Sequence, residues 1–399
     1  MTSLRRDLDK ILAEKGADAL LLYSESFKNA NMYYLTKFLA PDPFIFLKKV
    51  DEDPLIVVNQ MEYPRAQKQS IVKDVRSYFE YRYLEIVKTA KDPHLGTMKF
   101  IANVTRREVD VDRKICVPHN FPAMVANVLE EEGLNVKPMF DIVEKSREAK
   151  DADEIDEIRG VQAVAEEVTA EAVELIANAD VGANGVLIVK KEPLTVGKVK
   201  SFFGHKFLDR ECVMEEDIIV ACGLKGADPH YYGDSQDELK ANQPIVLDIY
   251  PRNVQKRYWT DMTRTIVKGR ASDKVKKMFN AVLEAKNASI DAIESGALGS
   301  DVYDICCDVL EKAGYETTRR GKQITRGLTH SLGHGVGLDL HEGPSMNELY
   351  TFPLKDHNII TVEPGLYDPD VGGLRIEDIV EVTKAGCSNL TKMEIQLEV

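Results

Sequence analysis

The chain has 399 residues, of which 44% are hydrophobic and 30% charged, with a formal net charge of −14. That length exceeds one typical core and predicts roughly two to three domains, and the composition is that of an ordinary globular enzyme. The acidic balance argues against nucleic acid or an anionic membrane as the main partner, because both bind basic faces.

The opening "MTSLRRDLDKILAEKGADALLLY" carries two arginines and then a charged amphipathic run. It lacks the apolar core and small-residue cleavage site of a signal peptide. No uncharged apolar run reaches the roughly 18 residues of a membrane span. The six cysteines (116, 212, 222, 306, 307 and 387) are scattered without a CxxC pair. Reduced thiols in a cytoplasmic protein are therefore expected.

Residues 4–16 read as a helix, and "ADALLLY" as a short buried strand. "NMYYLTKFL" and "PFIFLKK" continue the strand-like signal, followed by "DPLIVVNQ". Helix and strand patterns alternate to about 140, which predicts a small α/β domain. "KSREAKDADEIDEIRG" (145–160) is charged, and it opens a long helix. Ile155, Ile158, Val161, Ala165, Val168, Ala172, Leu175 and Ile176 follow at helical spacing. The domain boundary is placed near 150, giving domains 1–150 and 151–399.

Two further helices are predicted over 273–294 and 300–313, the second with Gly314 as its C-terminal cap. Around them lie strand signals: "QPIVLDIYP", "YWTDMTRTIVKG", "NIITVEPGLY" and "LRIEDIVEVTKAG". Several of these runs hold a carboxylate among β-branched or apolar residues. Burial of a carboxylate is costly unless it is paired or metal-bound. A lone Asp in a strand is usually a cap, a bulge or an edge residue. Asp248, Asp261, Glu363 and Glu377 together, with the glycine-flanked His334, are not explained that way. Hard oxygen ligands joined by one imidazole describe a dinuclear site for Mn, Co, Zn or Fe.

The motifs "IVLDIYPRNVQKRYWTDMTRT", "SLGHGVGLDLHE", "TVEPGLY" and "LRIEDIVEVT" resemble those of the pita-bread metallopeptidase family, which includes aminopeptidase P, prolidase and methionine aminopeptidase. "NMYYLTKF" resembles a segment of the N-terminal creatinase-like domain of prolidases and aminopeptidases P. The resemblance implies an α/β N-terminal domain followed by an α+β pita-bread catalytic domain. It implies two divalent metal ions per subunit, held by Asp248, Asp261, His334, Glu363 and Glu377. Asp261 and Glu377 would bridge the two ions, and Glu363 would also accept a proton from the attacking water. His230 and His341 fall where the family has histidines facing the substrate. Arg375 matches a family arginine that orients a neighbouring carboxylate or helps with the substrate's carboxyl end. A homodimer is likewise implied by the family. His330 has no match and stays unassigned, while His94, His119, His205 and His357 read as structural or surface residues. Gly333 and Gly335 are expected to let the backbone approach the metal cluster.

Two departures matter. The spacing from Asp248 to Asp261 is about two residues longer than the family's, and Tyr250 stands where a Gly is usual. The extra residues are expected at a hairpin tip. After the second histidine the chain reads "HEGPSMN", with Ser345 where many prolidases have an arginine for the free carboxylate of proline. A dipeptidase needs such a grip. The expected activity is therefore an Xaa-Pro aminopeptidase, acting on peptides with proline at the second position, with an Xaa-Pro dipeptidase as the alternative. A metal-free creatinase-like hydrolase and a non-catalytic binding module are remoter alternatives, because the family's full ligand set is present.

Overall fold

The computed structural model describes residues 4–399. They divide into two compact units on either side of the Arg147–Glu148 bond.

The first unit is built on a six-stranded sheet of β1 (Ala19–Ser24), β2 (Phe44–Lys49), β3 (Leu55–Val58), β4 (Asp74–Ser77), β5 (Lys114–Pro118) and β6 (Asn135–Met139), in the order β4-β3-β2-β1-β5-β6. Pairing is parallel for β3–β4, β1–β5 and β5–β6, and antiparallel for β1–β2 and β2–β3. Continuous apolar runs such as Leu20–Leu22 and Leu55–Val58 suit strands covered on both faces. Leu21, Ile45, Val57, Ile115, Phe100 and Leu129 join in one core.

The "NMYYLT" segment is helical (Ala30–Thr36), not a strand. The Asn29 side chain accepts a hydrogen bond from Met32 N–H and starts the helix, and Lys37 ends it in the left-handed region at φ 47°. Asn31 to Thr36 are all buried. A helix buried on every side shows no amphipathic period, and so its apolar run reads like a strand.

The second unit opens with the helix Ala152–Ala177. Asp151 and Glu154 form a reciprocal capping box at its start. A three-stranded antiparallel sheet consists of β7 (Ile219–Cys222), β8 (Ile245–Ile249) and β9 (Met262–Ile266), with β8 central. A five-stranded sheet contains β10 (Gly333–Gly335), β11 (Glu342–Met346), β12 (Ile359–Val362), then β15 (Asp378–Thr383) and β16 (Gly386–Asn389). Its order is β11-β10-β12-β15-β16. Between them in sequence, β13 (Gly365–Asp368) and β14 (Gly372–Arg375) form a hairpin. Helices Asp273–Asp291 and Gly299–Lys312 bury Val282, Ala285, Cys306 and Leu310 in the same core as Ile360, Val362 and Val380. Gly314 follows the second of these helices at φ 92°. All six cysteines are free thiols. Among the described residues, no helix is long and apolar enough to cross a membrane.

The long connection from Asp248 to Asp261 leaves the β8–β9 ladder intact. Asp248 faces Thr263 and Ile249 faces Met262 without a register shift. The extra residues form a turn in which Asn253 Oδ1 accepts from the N–H groups of Gln255 and Lys256, and Arg257 takes φ 71°. Both aspartates therefore keep their places.

The glycines around His334 have a reason in the sheet itself. A Cβ on Gly333 would lie 2.1 Å from the Thr361 carbonyl oxygen, and one on Gly335 would lie 2.2 Å from that of Gly343. Close approach of neighbouring strands already requires glycine here.

Candidate active site

Only Asp248 sits inside a strand. Asp261 immediately precedes β9, Glu363 immediately follows β12, and Glu377 immediately precedes β15. Strand ends bring carboxylates from separate strands to one spot while their apolar neighbours enter the core. Two backbone hydrogen bonds lock the arrangement. Glu377 N–H donates to Thr263 O (3.0 Å), joining the sheets, and Glu363 N–H donates to Leu332 O (2.8 Å).

The four carboxylates meet His334 at the floor of a cavity of about 360 Å³. His334 Nε2 lies 3.6 Å from Asp261 Oδ2 and 3.5 Å from Glu363 Oε1. His334 Nδ1 lies 3.1 Å from Gly335 O. A carbonyl can only accept, so Nδ1 carries the proton and the Nε2 lone pair faces the carboxylates. Burial, then the nearby His341, push the His334 pKa down to about 4. The ring is neutral at pH 7 and can bind a metal ion.

Burial, followed by mutual repulsion with Asp248 and Glu363, holds the Asp261 carboxyl well above the usual carboxylate range. Burial, then repulsion from Asp261, does the same to Glu377. Burial pushes Glu363 up to about 8, against the pull of Arg375. Asp261 Oδ1 and Glu377 Oε1 are buried without any hydrogen-bond partner. Oxygen atoms in that position are expensive unless a cation meets them. One ligand atom each from Asp261, His334 and Glu377 falls within 4.8 Å of the others, the spacing of a cation site. The donor set of oxygens and one neutral imidazole therefore fits a divalent ion.

Each nitrogen of the Arg375 guanidinium makes a hydrogen bond inside the protein. Its Nη2 donates to Asp248 Oδ2, its Nη1 to the Tyr367 hydroxyl (2.8 Å), and its Nε to Thr263 Oγ1 (3.1 Å). Thr263 Oγ1 also lies 2.6 Å from Asp248 Oδ1 and 2.8 Å from Glu377 Oε2. A hydroxyl has one hydrogen, so Thr263 donates to one carboxylate, and the second contact closes when Glu377 carries a proton. His330 belongs to the same chain of contacts. Its Nδ1 donates to Ser331 O (2.7 Å), leaving Nε2 to accept from the Tyr367 hydroxyl (2.8 Å). Burial, then Arg375, lower the His330 pKa to about 3. On the far side of Glu377, Asp378 pairs with Arg264 and Lys286, and Arg264 Nη1 donates to the Glu377 carbonyl (2.7 Å).

His230 and His341 are exposed and both line the cavity, and the His341 ring centroid stands 4.3 Å from that of His334. Ser345 lines it too. Sequence reasoning missed Thr263 and Tyr367. Thr263 had a usable signal, since it stands two residues after Asp261 and faces the cluster from the partner strand. His94, His119, His205 and His357 do not line the cavity.

These groups predict how metal and protons compete. Between pH 4.5 and 6.5 the raised carboxyls and the depressed imidazoles of His330 and His334 act in opposite directions. Between about 6.5 and 8 the imidazoles are neutral in both states, and the unfolded chain has lost carboxyl protons that the folded site retains. The unfolded state then binds fewer protons, so metal-free protein loses stability as pH rises through this window. Divalent metal displaces those protons. Titration with Mn²⁺ in weak buffer at pH 7 is expected to release protons and to stabilise the fold by about 3 kcal/mol at 100-fold excess over Kd. Calorimetry in two buffers of different ionisation enthalpy checks both effects.

Buried carboxylates and the neutral His334 imidazole lining a cleft make the donor set of a metal-dependent hydrolase. The model of metallopeptidase family M24 matches residues 156–384, and that of the creatinase/prolidase N-terminal domain matches residues 5–149. The chain belongs to metallopeptidase family M24, with the pita-bread catalytic fold behind a creatinase-like domain. It is 27% identical over 391 residues to a Xaa-Pro dipeptidase of Pyrococcus horikoshii, covering 97% of this chain and 96% of that one. A Xaa-Pro dipeptidase of Pyrococcus furiosus is 26% identical, with 98% of each chain covered. Among solved structures, a Xaa-Pro dipeptidase from Bacillus anthracis superposes with a TM-score of 0.81 at 23% identity, covering 99% of both chains. An X-Pro aminopeptidase from Thermotoga maritima gives a TM-score of 0.76 at 22% identity, over 98% of this chain and 100% of that one.

Proposed function

We propose that the protein is a dinuclear-metal exopeptidase that cleaves the Xaa-Pro bond at the N-terminus of peptides longer than two residues. Asp248, Asp261, His334, Glu363 and Glu377 would hold two divalent ions, with Asp261 and Glu377 shared between them. The bound ions supply Lewis acidity to the scissile carbonyl and make water acidic enough to attack near neutral pH. Glu363 would take a proton from the attacking water and pass it to the leaving proline nitrogen. His230 and His341 reach into the cavity, where their ring nitrogens can donate to the carbonyl oxygen as charge develops on it. Arg375 holds Asp248 in place.

The observation that carries the choice of peptide length is the fate of Arg375. Among the described residues lining the cavity it is the sole Lys or Arg. Its three nitrogens already serve Asp248, Tyr367 and Thr263. A free carboxylate on a dipeptide would find no second Lys or Arg among the described residues lining the cavity, and its burial would be penalised. A longer peptide presents a neutral amide there.

A second reading, Xaa-Pro dipeptidase, is favoured by the two Pyrococcus relatives matched over nearly the whole chain. The readings separate on Ala-Pro, Ala-Pro-Ala and Ala-Ala-Ala assayed with Mn²⁺ or Co²⁺. The aminopeptidase reading expects kcat/KM for Ala-Pro-Ala at least about tenfold above that for Ala-Pro, the size of one uncompensated 1.4 kcal/mol penalty. Cleavage of Ala-Pro alone would establish the dipeptidase.

A further inference from the structure

Beyond the metal cluster, the second unit buries one more ion pair close to the site. Lys150 Nζ lies 2.5 Å from Glu342 Oε1, with the two side chains 2% and 8% exposed. The ammonium also donates to the Glu148 carbonyl (3.2 Å), and the Lys150 backbone N–H to His357 O (2.9 Å). Neither side chain lines the cavity. A buried pair like this is weak evidence for stability, since well-packed apolar residues do as well, but it is strong in geometry.

The geometry leads to His341. Glu342 follows His341 directly, and its second oxygen, Oε2, accepts from Asp339 N–H (3.3 Å). The carboxylate occupies the space beside Gly337, where a Cβ would lie 2.4 Å from Oε1. The turn is closed by Gly337 N–H donating to Asp339 O (3.1 Å). It is tied in turn to the segment that carries Asp261, because Trp259 N–H donates to Gly337 O (2.8 Å). Among the described residues, the exposed His341 side chain has no hydrogen-bond partner that would fix it. What places its ring beside His334 is the backbone of the 337–342 turn.

We infer that Lys150 is a positioning residue, whose buried ammonium fixes Glu342 and thereby the turn that presents His341 to the substrate. The inference rests on the proposed role of His341 as a catalytic residue. Lys150 lies about 190 positions away from Glu342 in sequence, at the very start of the second unit. The first residues of the catalytic unit thus hold part of its site in register.

The test is a double-mutant cycle on the full chain saturated with Mn²⁺, with Ala-Pro-Ala as substrate. Lys150→Met is expected to lower kcat on the order of 10- to 100-fold, the cost of a displaced catalytic group, with bound metal unchanged. Lys150→Arg, which keeps the charge, is expected to recover most of that loss. In the His341→Ala background, Lys150→Met should cost less than about threefold, because the residue through which it acts is gone. An equal loss in both backgrounds, or no loss of kcat in Lys150→Met, overturns the inference. An unchanged kcat in His341→Ala alone removes the catalytic role of His341, and the inference with it, while leaving the metal site standing. If Lys150→Met does not fold, Glu342→Gln keeps the side-chain shape and reads the same cycle.

Discussion

Asp261→Asn is expected to abolish metal-dependent hydrolysis and yet raise the stability of the metal-free protein. The carboxyl is buried with repelling neighbours in Asp248 and Glu363, and its Oδ1 has no hydrogen-bond partner. A neutral amide of the same shape removes that repulsion. On the proposed reading the same change also removes a ligand that two ions would share. Losing metal-assisted stabilisation of several kcal/mol lowers kcat/KM by about 10³-fold or more, since each 1.4 kcal/mol is tenfold. Metal content by mass spectrometry, kinetics, and urea unfolding with and without chelator measure the two effects on one preparation. Stability and activity moving in opposite directions is the signature of a site strained for function. A metal-free variant less stable than the wild type would show that Asp261 serves the fold instead.

Arg375→Met is expected to lower stability and activity together. Among the described residues lining the cavity the guanidinium is the sole Lys or Arg group, and removing it leaves Asp248 buried without its counter-charge. Breaking one side of a buried pair costs about 3–5 kcal/mol. Bound divalent ions replace part of the missing positive charge, so the loss is expected to be larger in chelator than in Mn²⁺. Turnover is expected to fall by about 10- to 100-fold, as for other outer partners of metal ligands. Unfolding in urea with and without Mn²⁺ gives the first quantity and steady-state kinetics the second. A selective rise in KM for Ala-Pro, with stability intact, would instead place Arg375 on the substrate.

Much of this site is legible in the sequence because a carboxylate in a β-branched run violates the ordinary rules of burial. Asp248, Asp261, Glu363 and Glu377 each break the pattern locally, and His334 is marked by its glycines. What those glycines do is not legible, because the carbonyls that exclude a Cβ come from Thr361 and Gly343 on neighbouring strands. Strand register decides such contacts, and register is a property of the assembled sheet. Thr263 shows the same limit. Its hydroxyl bridges Asp248 and Glu377 only because Asp248 and Thr263 face each other across β8 and β9. The Ala30–Thr36 helix is missed for a different reason, since a segment buried on all sides carries no period to read. The pairing of Lys150 with Glu342 joins residues too distant in sequence for any local pattern to connect.

Hydrolysis of the Xaa-Pro bond in this cleft is proposed to depend on bound divalent metal. Its most direct measurement is the hydrolysis of Ala-Pro-Ala by chelator-stripped protein as Mn²⁺ or Co²⁺ is restored, with bound metal counted at each point. No turnover is expected without metal, and activity is expected to rise to saturation as two ions bind per chain. Cleavage that persists at zero bound metal, or a chain that saturates with metal and leaves the peptide intact, would contradict it.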